Sequence, residues 1–343
     1  MPVLVILCYL LLCQVYPRAW PWFDTFPARA EFVGEKLVVR NTKSQELWEA
    51  DLGTDYDLDR SLTAVGNLDE DRQQEVCCLL TARTDGTSTF AGLLIAFDDD
   101  GQELFRRSPM IPREYPGDTS LFQLYDSGGL SILSTGRRTY IVTAIMRSYP
   151  ARTHVRVWSP RGDAIGWYIN AGYAGWMIPD TARDVLHCAG VNNRLHASCL
   201  FTISLDSSYG VSPPYTDPEY DLSSVKHGNQ LRYIVFPKTD LCNARTARYN
   251  HPVRLSWDTR DFLQVEVDEL GGPRNQGDSV ATVNYWVNTA GQVVSARCSD
   301  RFRAAREQMV ARGYLTPVDW DVYEQDILRN VRLWADTGWV SQE

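Results

Sequence analysis

The sequence lacks the features by which nucleic-acid-binding proteins are recognised. It has no block of clustered lysines and arginines, and 43 acidic against 34 basic residues give a formal net charge of -9. Phosphate contacts need clustered positive side chains, so the composition excludes general nucleic-acid binding. The chain is rich instead in large amphipathic side chains, with 11 tryptophans and 17 tyrosines. Such side chains suit β-sheets and the rims of binding surfaces.

Short catalytic and zinc-binding motifs are also absent. There is no nucleophile elbow, phosphate-binding glycine loop or Rossmann glycine pair. The eight cysteines form no C-x-x-C and the five histidines no H-x-x-x-H, which excludes the usual zinc patterns. No catalytic residue is therefore predicted. Most of the cysteines are predicted to be buried thiols, and Cys188 with Cys199 is the candidate disulfide if the domain is exported.

The amino-terminal segment differs in kind from the rest of the chain. Pro2 to Tyr16 carries no charge, and Arg18 follows it. A full membrane span needs roughly 20 apolar residues, and a secretory signal usually begins with basic residues. We interpret residues 1–30 as a membrane anchor or export signal, with the main domain outside the cytoplasm. A buried terminal strand and a longer anchor cut short are the alternatives.

A recurring pattern of strand, polar turn and strand fills the rest of the chain. Similar stretches begin at Leu37 (LVVRNTKSQELWEADLG), Leu94 (LIAFDDDGQELFRRSP), Val155 (VRVWSPRGDAIGWYIN) and Val283 (VNYWVNTAGQVVSARC). Repeats about sixty residues long, made of about four strands each, are typical of propeller blades. Residues 31–343 therefore predict an all-β fold, a β-propeller of about five blades. Two stacked sandwiches, the alternative, would not give a constant spacing.

The end of the chain predicts helices. The stretch DRFRAAREQMVARG places Phe302 and Met309 on one apolar face, with Gly313 as a stop signal. A second helix is expected near 318–330, so that the segment 301–330 forms two short carboxyl-terminal helices on the propeller domain. The final VRLWADTGWV is typical of a closing hairpin.

One acidic stretch suggests a metal loop. Gly66 to Glu75 reads GNLDEDRQQE and is followed by the apolar run VCCLL. Calcium takes six to eight oxygen ligands, and alternate positions in a tight turn can direct several oxygens to one centre. A charged turn between two strands would give the same composition without a metal.

The stretch AVGNLDEDRQQEVCCLL resembles the GDxDGDGxxD core of FG-GAP or VCBS-type repeats, which occur in the propeller heads of integrin α-subunits and in bacterial envelope propellers. The likeness covers this one short motif. It implies a Ca²⁺ ion held between two strands of a blade. The ligands that it implies are Asn67, Asp69, Asp71 and Glu75, together with the main-chain carbonyl of Gln73.

This sequence departs from the family pattern at two positions. The first ligand is Asn67 where the family has Asp, and Arg72 replaces the glycine that usually follows the third ligand. Arg72 adopts a left-handed backbone only at a cost and brings a positive charge beside the site. The alternative to a calcium site is thus a loop that has kept the turn and lost the metal.

Taken together, these features favour a non-enzymatic, membrane-tethered or exported β-propeller that acts as a binding or scaffold module. Its protein or glycan partner is expected to dock on the Tyr- and Pro-rich loop from Tyr209 to Tyr220. One alternative is a propeller enzyme that hydrolyses or cleaves glycans with acidic loop residues. Another is a structural head stabilised by calcium. The functional choice rests on fold-level analogy.

Overall fold

The computed structural model describes residues 25–69, 71, 73–82, 92–109, 125–147, 152–213, 227–270, 280–335 and 338–341. Residues 1–24 lie outside this part of the chain, so the predicted membrane anchor or export signal stays a prediction. Within the described ranges, no helix has the length and apolar character needed to cross a membrane.

The described chain is mostly β, with five antiparallel sheets and three short helices. Sheet 1 contains β1 (Arg29–Val33), β2 (Lys36–Arg40) and β3 (Glu46–Asp51). Sheet 2 contains β4 (Tyr56–Gly66), β5 (Glu75–Ala82), β6 (Leu93–Phe97) and β7 (Glu103–Arg107). Sheet 3 contains β8 (Tyr125–Ser134), β9 (Thr139–Arg147), β10 (Arg152–Trp158) and β11 (Ala164–Asn170).

The last two sheets complete the series. Sheet 4 contains β12 (Ala174–Asp180), β13 (Val185–Asn192), β14 (Ala197–Ser204), β15 (Arg232–Val235), β20 (Arg332–Ala335) and β21 (Gly338–Ser341). Sheet 5 contains β16 (His251–Thr259), β17 (Phe262–Asp268), β18 (Thr282–Asn288) and β19 (Val293–Cys298). The helices are α1 (Asp240–Ala244), α2 (Asp300–Ala311) and α3 (Trp320–Arg329).

Successive sheets pack face to face, and β5 shows how the sequence achieves this. Every residue of EVCCLLTA is buried. Val76 and Cys78 pack into the core shared with sheet 1, whereas Cys77 and Leu79 pack into the core shared with sheet 3. Alternate side chains of a strand point to opposite faces, so a strand covered on both sides is apolar along its middle, from Val76 to Leu80 in β5.

The order of the sheets is that of a propeller. One hydrophobic core joins each sheet to the next, and β4, β8, β12 and β16 each contact the first strand of the preceding sheet. Up-and-down sheets that follow one another face to face and meet along their first strands form the blade arrangement of a β-propeller. The predicted all-β fold with about five blades is confirmed.

The repeats seen in the sequence are the outer hairpins of four sheets, namely β2–β3, β6–β7, β10–β11 and β18–β19. In each turn a side-chain oxygen accepts from the backbone N–H four residues later, at 2.6 to 3.1 Å. The fourth residue of each turn has a positive φ: 62° at Ser44, 84° at Gly101, 77° at Gly162 and 76° at Gly291. One turn geometry therefore recurs, and its fourth position favours glycine.

Sheet 4 departs from this pattern. The segment between β14 and β15 is a long connection, of which residues 214–226 lie outside the described ranges. The carboxyl-terminal hairpin β20–β21 exists as predicted, and it pairs antiparallel with β15 through Ile234 and Leu333. The hairpin thus extends sheet 4 to six strands.

The two predicted carboxyl-terminal helices are confirmed as α2 and α3. Phe302 is fully buried, and Met309 packs against the core of sheets 4 and 5 as its predicted face requires. The buried carboxylate of Glu324 joins the helices to sheet 5, since it pairs with Arg297 at 2.7 Å and Arg303 at 2.8 Å.

The cysteines of the described residues are all free and buried. The prediction of buried thiols is confirmed for them, and the disulfide considered between Cys188 and Cys199 is not formed. The two thiols lie on adjacent strands but out of register, because Cys188 pairs with Phe201 and Cys199 with Gly190.

Candidate functional site

The acidic loop forms between β4 and β5 and brings three of its predicted metal ligands together. The carboxylate oxygens of Asp69, Asp71 and Glu75 lie within 4.8 Å of one another. The loop is shaped by its own side chains, since Asp69 accepts from Asp71 N at 3.1 Å and Asp71 accepts from Gln73 N at 2.5 Å. Three carboxylates at this spacing fit a hard divalent cation.

Glu75 is the buried member of this group. Its carboxylate accepts a hydrogen bond from Leu68 N. Burial raises the pKa of Glu75 to about 7, with smaller contributions from Asp69 and Asp71 and partial relief from the Leu68 hydrogen bond. A bound cation would favour the charged carboxylate, so ion binding and deprotonation of Glu75 would be coupled.

The fourth predicted ligand, Asn67, closes the loop. Its side-chain amide donates to the carbonyls of Asp71 and Gln73, the latter at 3.0 Å. The Gln73 carbonyl that the family resemblance assigns to calcium therefore accepts from Asn67. Gln73 also donates to Asp99 in the next turn. Arg72 lies outside the described residues, and calcium binding stays a prediction.

A second candidate site, which the sequence did not predict, lies between sheets 4 and 5. Here a pocket of about 270 Å³ opens between two cross-strand rows of side chains. We call it the slot. The polar row belongs to sheet 4 and the apolar row to sheet 5, and the strand registers align each row. The rows are His187, Thr202 and Arg232 on sheet 4, and Trp257, Leu263 and Val287 on sheet 5.

His187 is a neutral polar group inside the slot. Burial lowers its pKa to about 4, and the nearby Arg232 and Arg183 lower it further against the opposing effect of Asp180. Nδ1 lies 2.9 Å from the Thr202 hydroxyl, and Nε2 is buried without a hydrogen-bond partner among the described residues. The imidazole also meets the Trp257 ring edge-on at 5.6 Å.

Arg232 is a cationic residue of the slot lining. Its Nη1 donates to Thr289 O at 3.3 Å. A Cβ on Gly291 would overlap this guanidinium. Burial, aided by Arg183, lowers the pKa of Arg232. Burial lowers the pKa of an arginine when no nearby carboxylate offsets the cost of removing its charge from water.

The lining of the slot includes one ion pair. Arg183 Nη1 lies 2.5 Å from a carboxylate oxygen of Asp180, which is 7% exposed. Asp180 is the one acidic residue in the described lining of the slot. Because Arg183 and Asp180 neutralise each other, Arg232 supplies the net charge of the lining.

A larger, more open depression of about 630 Å³ lies where α1 and α3 meet sheet 4. Asp240, one of the two acidic residues in its lining, already accepts from Tyr323 Oη at 2.5 Å and from the buried Arg306 guanidinium at 2.6 Å. This depression is therefore lined in part by groups that hold the helices together.

The loop predicted to dock a partner is described only at its start. Tyr209 N donates to Asn229 Oδ1 at 2.7 Å, and Val211 is buried and bridges to Ile169 of sheet 3. The stretch 214–220 lies outside the described ranges, so docking on this loop stays a prediction.

Comparison with known proteins gives a distant likeness of fold. No family model matches the chain, and no curated protein matches it. The FG-GAP resemblance therefore stays a prediction, and no family is assigned.

Two solved structures are similar in part. The complex of KlAtg21 with the coiled-coil of AgAtg16 is 12% identical with a TM-score of 0.38, and the match covers 74% of this chain and 65% of that chain. The V. cholerae biofilm matrix protein Bap1 is 8% identical with a TM-score of 0.17, and the match covers 80% of this chain and 53% of that chain. The chain thus spans less than two thirds of either relative. Both scores lie below 0.5, so the likeness carries no functional inference, and the architecture rests on the sheet order given above.

Proposed function

We propose that this chain is a non-enzymatic binding module whose ligand enters the slot between sheets 4 and 5. The observation that carries the proposal is the pairing of a polar row with an apolar row across one opening. Ligand pockets commonly combine apolar walls with a few placed polar groups. Both rows stand on strands, which hold side chains more firmly than loops do.

The size of the slot defines what fits. About 270 Å³ lies near the lower end of the range for small-molecule pockets. The slot therefore accommodates a compact small molecule, one sugar ring, or a single large side chain of a protein partner. The predicted location outside the cytoplasm, through the segment 1–30, is part of the proposal and is supported by the sequence alone.

The glycan-cleaving alternative has less support at this site. Glycoside hydrolases usually place two carboxyl groups across the scissile bond. The described lining of the slot offers one, Asp180, and it is paired with Arg183 at 2.5 Å. We therefore propose recognition and not turnover.

Native mass spectrometry of the full chain tests this proposal. The chain is incubated with pools of small molecules, oligosaccharides and short peptides. Val287→Phe fills the slot from the buried apolar row, whereas Val294→Phe adds the same ring at an exposed position, 45% exposed, on the neighbouring strand β19. We expect one-to-one adducts with the parent and with Val294→Phe, and their loss in Val287→Phe.

Equal adducts in both variants would place the binding elsewhere, and an absence of adducts from every pool would contradict a binding function. Released oligosaccharide fragments would support the enzyme alternative. Thermal melting of each variant shows whether it is folded, because overpacking a core costs about 1 to 3 kcal/mol.

A further inference from the structure

We infer that the slot binds an organic monocarboxylate, whose carboxylate pairs with Arg232 while its ring or branched apolar body lies against Trp257. The inference rests on the proposed function and adds the chemical class of the ligand. It follows from the repeat of the fold, from the charges around the slot and from the unpartnered atom of His187.

The repeat shows that a charge is not needed at the Arg232 position. In sheets 1 and 2, an aromatic side chain on the last strand covers the fourth residue of the outer turn in the following sheet. Trp48 of sheet 1 covers Gly101 of sheet 2, and Phe105 of sheet 2 covers Gly162 of sheet 3. A Cβ on these glycines would lie 2.8 and 2.7 Å from the rings.

Trp48 even makes the equivalent hydrogen bond to its turn, because its Nε1 donates to Asp99 O at 2.8 Å. Arg232 in sheet 4 does the same with Thr289 O and covers Gly291. An aromatic ring is thus sufficient for the structural contact. The guanidinium of Arg232 is an addition that the packing does not require.

The charges favour a single negative group. Arg183 is paired with Asp180, whereas Arg232 forms no ion pair within the described part of the chain and donates to a neutral carbonyl. A half-buried guanidinium without a counter-ion is unfavourable. A carboxylate matches its planar fork of donors and its single charge, so a monoanion balances the slot.

The remaining walls fit the rest of such a molecule. When the Thr202 hydroxyl donates to Nδ1 of His187, the ring proton lies on Nε2, the buried nitrogen that has no partner in the part of the chain that the structure describes. Nε2–H is then a second donor for a ligand oxygen. On the other side, Trp257, Leu263 and Val287 offer an apolar wall for a flat or branched body.

The test measures binding of a panel of monocarboxylates, such as phenylacetate and branched aliphatic acids, with the matched primary amides and phenyl phosphate. Ligand-detected NMR and calorimetry are performed on the full chain. Arg232→Phe removes the charge and installs the aromatic group that sheets 1 and 2 use at this position. Arg254→Met is the control, since Arg254 is exposed on β16 and pairs with Glu266 outside the slot.

We expect at least one carboxylate to bind one-to-one, its amide to bind at least about tenfold more weakly, and Arg232→Phe to lose a similar factor. Arg254→Met should bind like the parent. Equal binding of acid and amide would overturn the carboxylate assignment and leave the slot as a binding site. Tighter binding of phenyl phosphate would assign a dianion instead. The inference would be overturned if no compound of the panel bound in a way that depends on Arg232. The proposed function is tested separately, by the loss of adducts in Val287→Phe.

Discussion

The carboxyl group of Glu269 should make the stability of this protein decrease as the pH rises through neutrality. Glu269 follows β17 and is fully buried. It accepts from Thr239 N, Thr239 Oγ1 and Asn250 Nδ2, each at 2.9 Å. Asn250 in turn accepts from Ser198 N at 2.8 Å. The carboxyl group therefore lies in the polar network that joins sheets 4 and 5 below α1.

Burial raises the pKa of Glu269 from 4.5 to about 7 against the effect of these hydrogen bonds. Between these values the folded chain holds a proton that the unfolded chain has released, so raising the pH favours unfolding. One pKa unit corresponds to about 1.4 kcal/mol, which gives a loss of about 3 kcal/mol once the pH is above 7. Below pH 4.5 the loss is absent.

Urea denaturation of the parent and of Glu269→Gln at about pH 5 and pH 8, with a chelator present, measures this effect. Other titrating groups cancel in the comparison. We expect the parent to lose about 2 to 3 kcal/mol more than the variant between these conditions. Glu307→Gln, an exposed change on α2, should behave like the parent. Parallel pH profiles for the parent and Glu269→Gln would refute the reasoning.

Three further predictions concern the acidic loop, the repeated turn and the slot. Calcium should raise the melting temperature of the chain, with weaker affinity as the pH falls below the Glu75 pKa of about 7; no shift at millimolar calcium, with Asp71→Ala like the parent, would contradict this. Gly101→Ala should cost about 2 kcal/mol or more in urea denaturation, because of its φ of 84° and the Trp48 ring. Gly136→Ala, where a Cβ meets nothing within 4 Å, should be nearly neutral, and equal losses would contradict the turn argument. The imidazole of His187 should titrate near pH 4 by NMR; a midpoint near 6.5 would contradict its burial.

Much of the fold was predictable because the turns are local. The residues at Asp98, Gly101, Ser159 and Gly162 set a turn geometry within five positions, so the repeat appears in the sequence at its true spacing. Helix α2 was predictable for the same reason, because its apolar face with Phe302 and Met309 and its stop signal Gly313 lie in one short stretch. The sheet joined by the last hairpin was not predictable, because the pairing of β15 with β20 links residues about a hundred positions apart.

The acidic loop could be predicted from the sequence and the slot could not, because the first is local and the second is not. Asp69, Asp71 and Glu75 lie within seven positions, and the turn alone brings them together. The slot joins His187 and Trp257 across two sheets, and neither belongs to a short motif. One signal was available in principle: Arg232 occupies the position held by Trp48 and Phe105 in other repeats. To make that comparison, β15 must be aligned with the last strands of the earlier repeats. The long connection before β15 hides this alignment in the sequence.

The most direct test of a ligand site in the slot is ¹⁹F NMR of the full chain labelled with 5-fluorotryptophan. Trp257 lines the slot, whereas Trp286 lies next to Val287 with its side chain on the opposite face of sheet 5, where Nε1 donates to Asp258 at 3.1 Å. Substitution of each tryptophan by phenylalanine assigns its resonance. On addition of a bound monocarboxylate, the Trp257 resonance should shift and that of Trp286 should not. A shift confined to Trp286, or no shift at Trp257 under saturating ligand, would contradict binding in the slot.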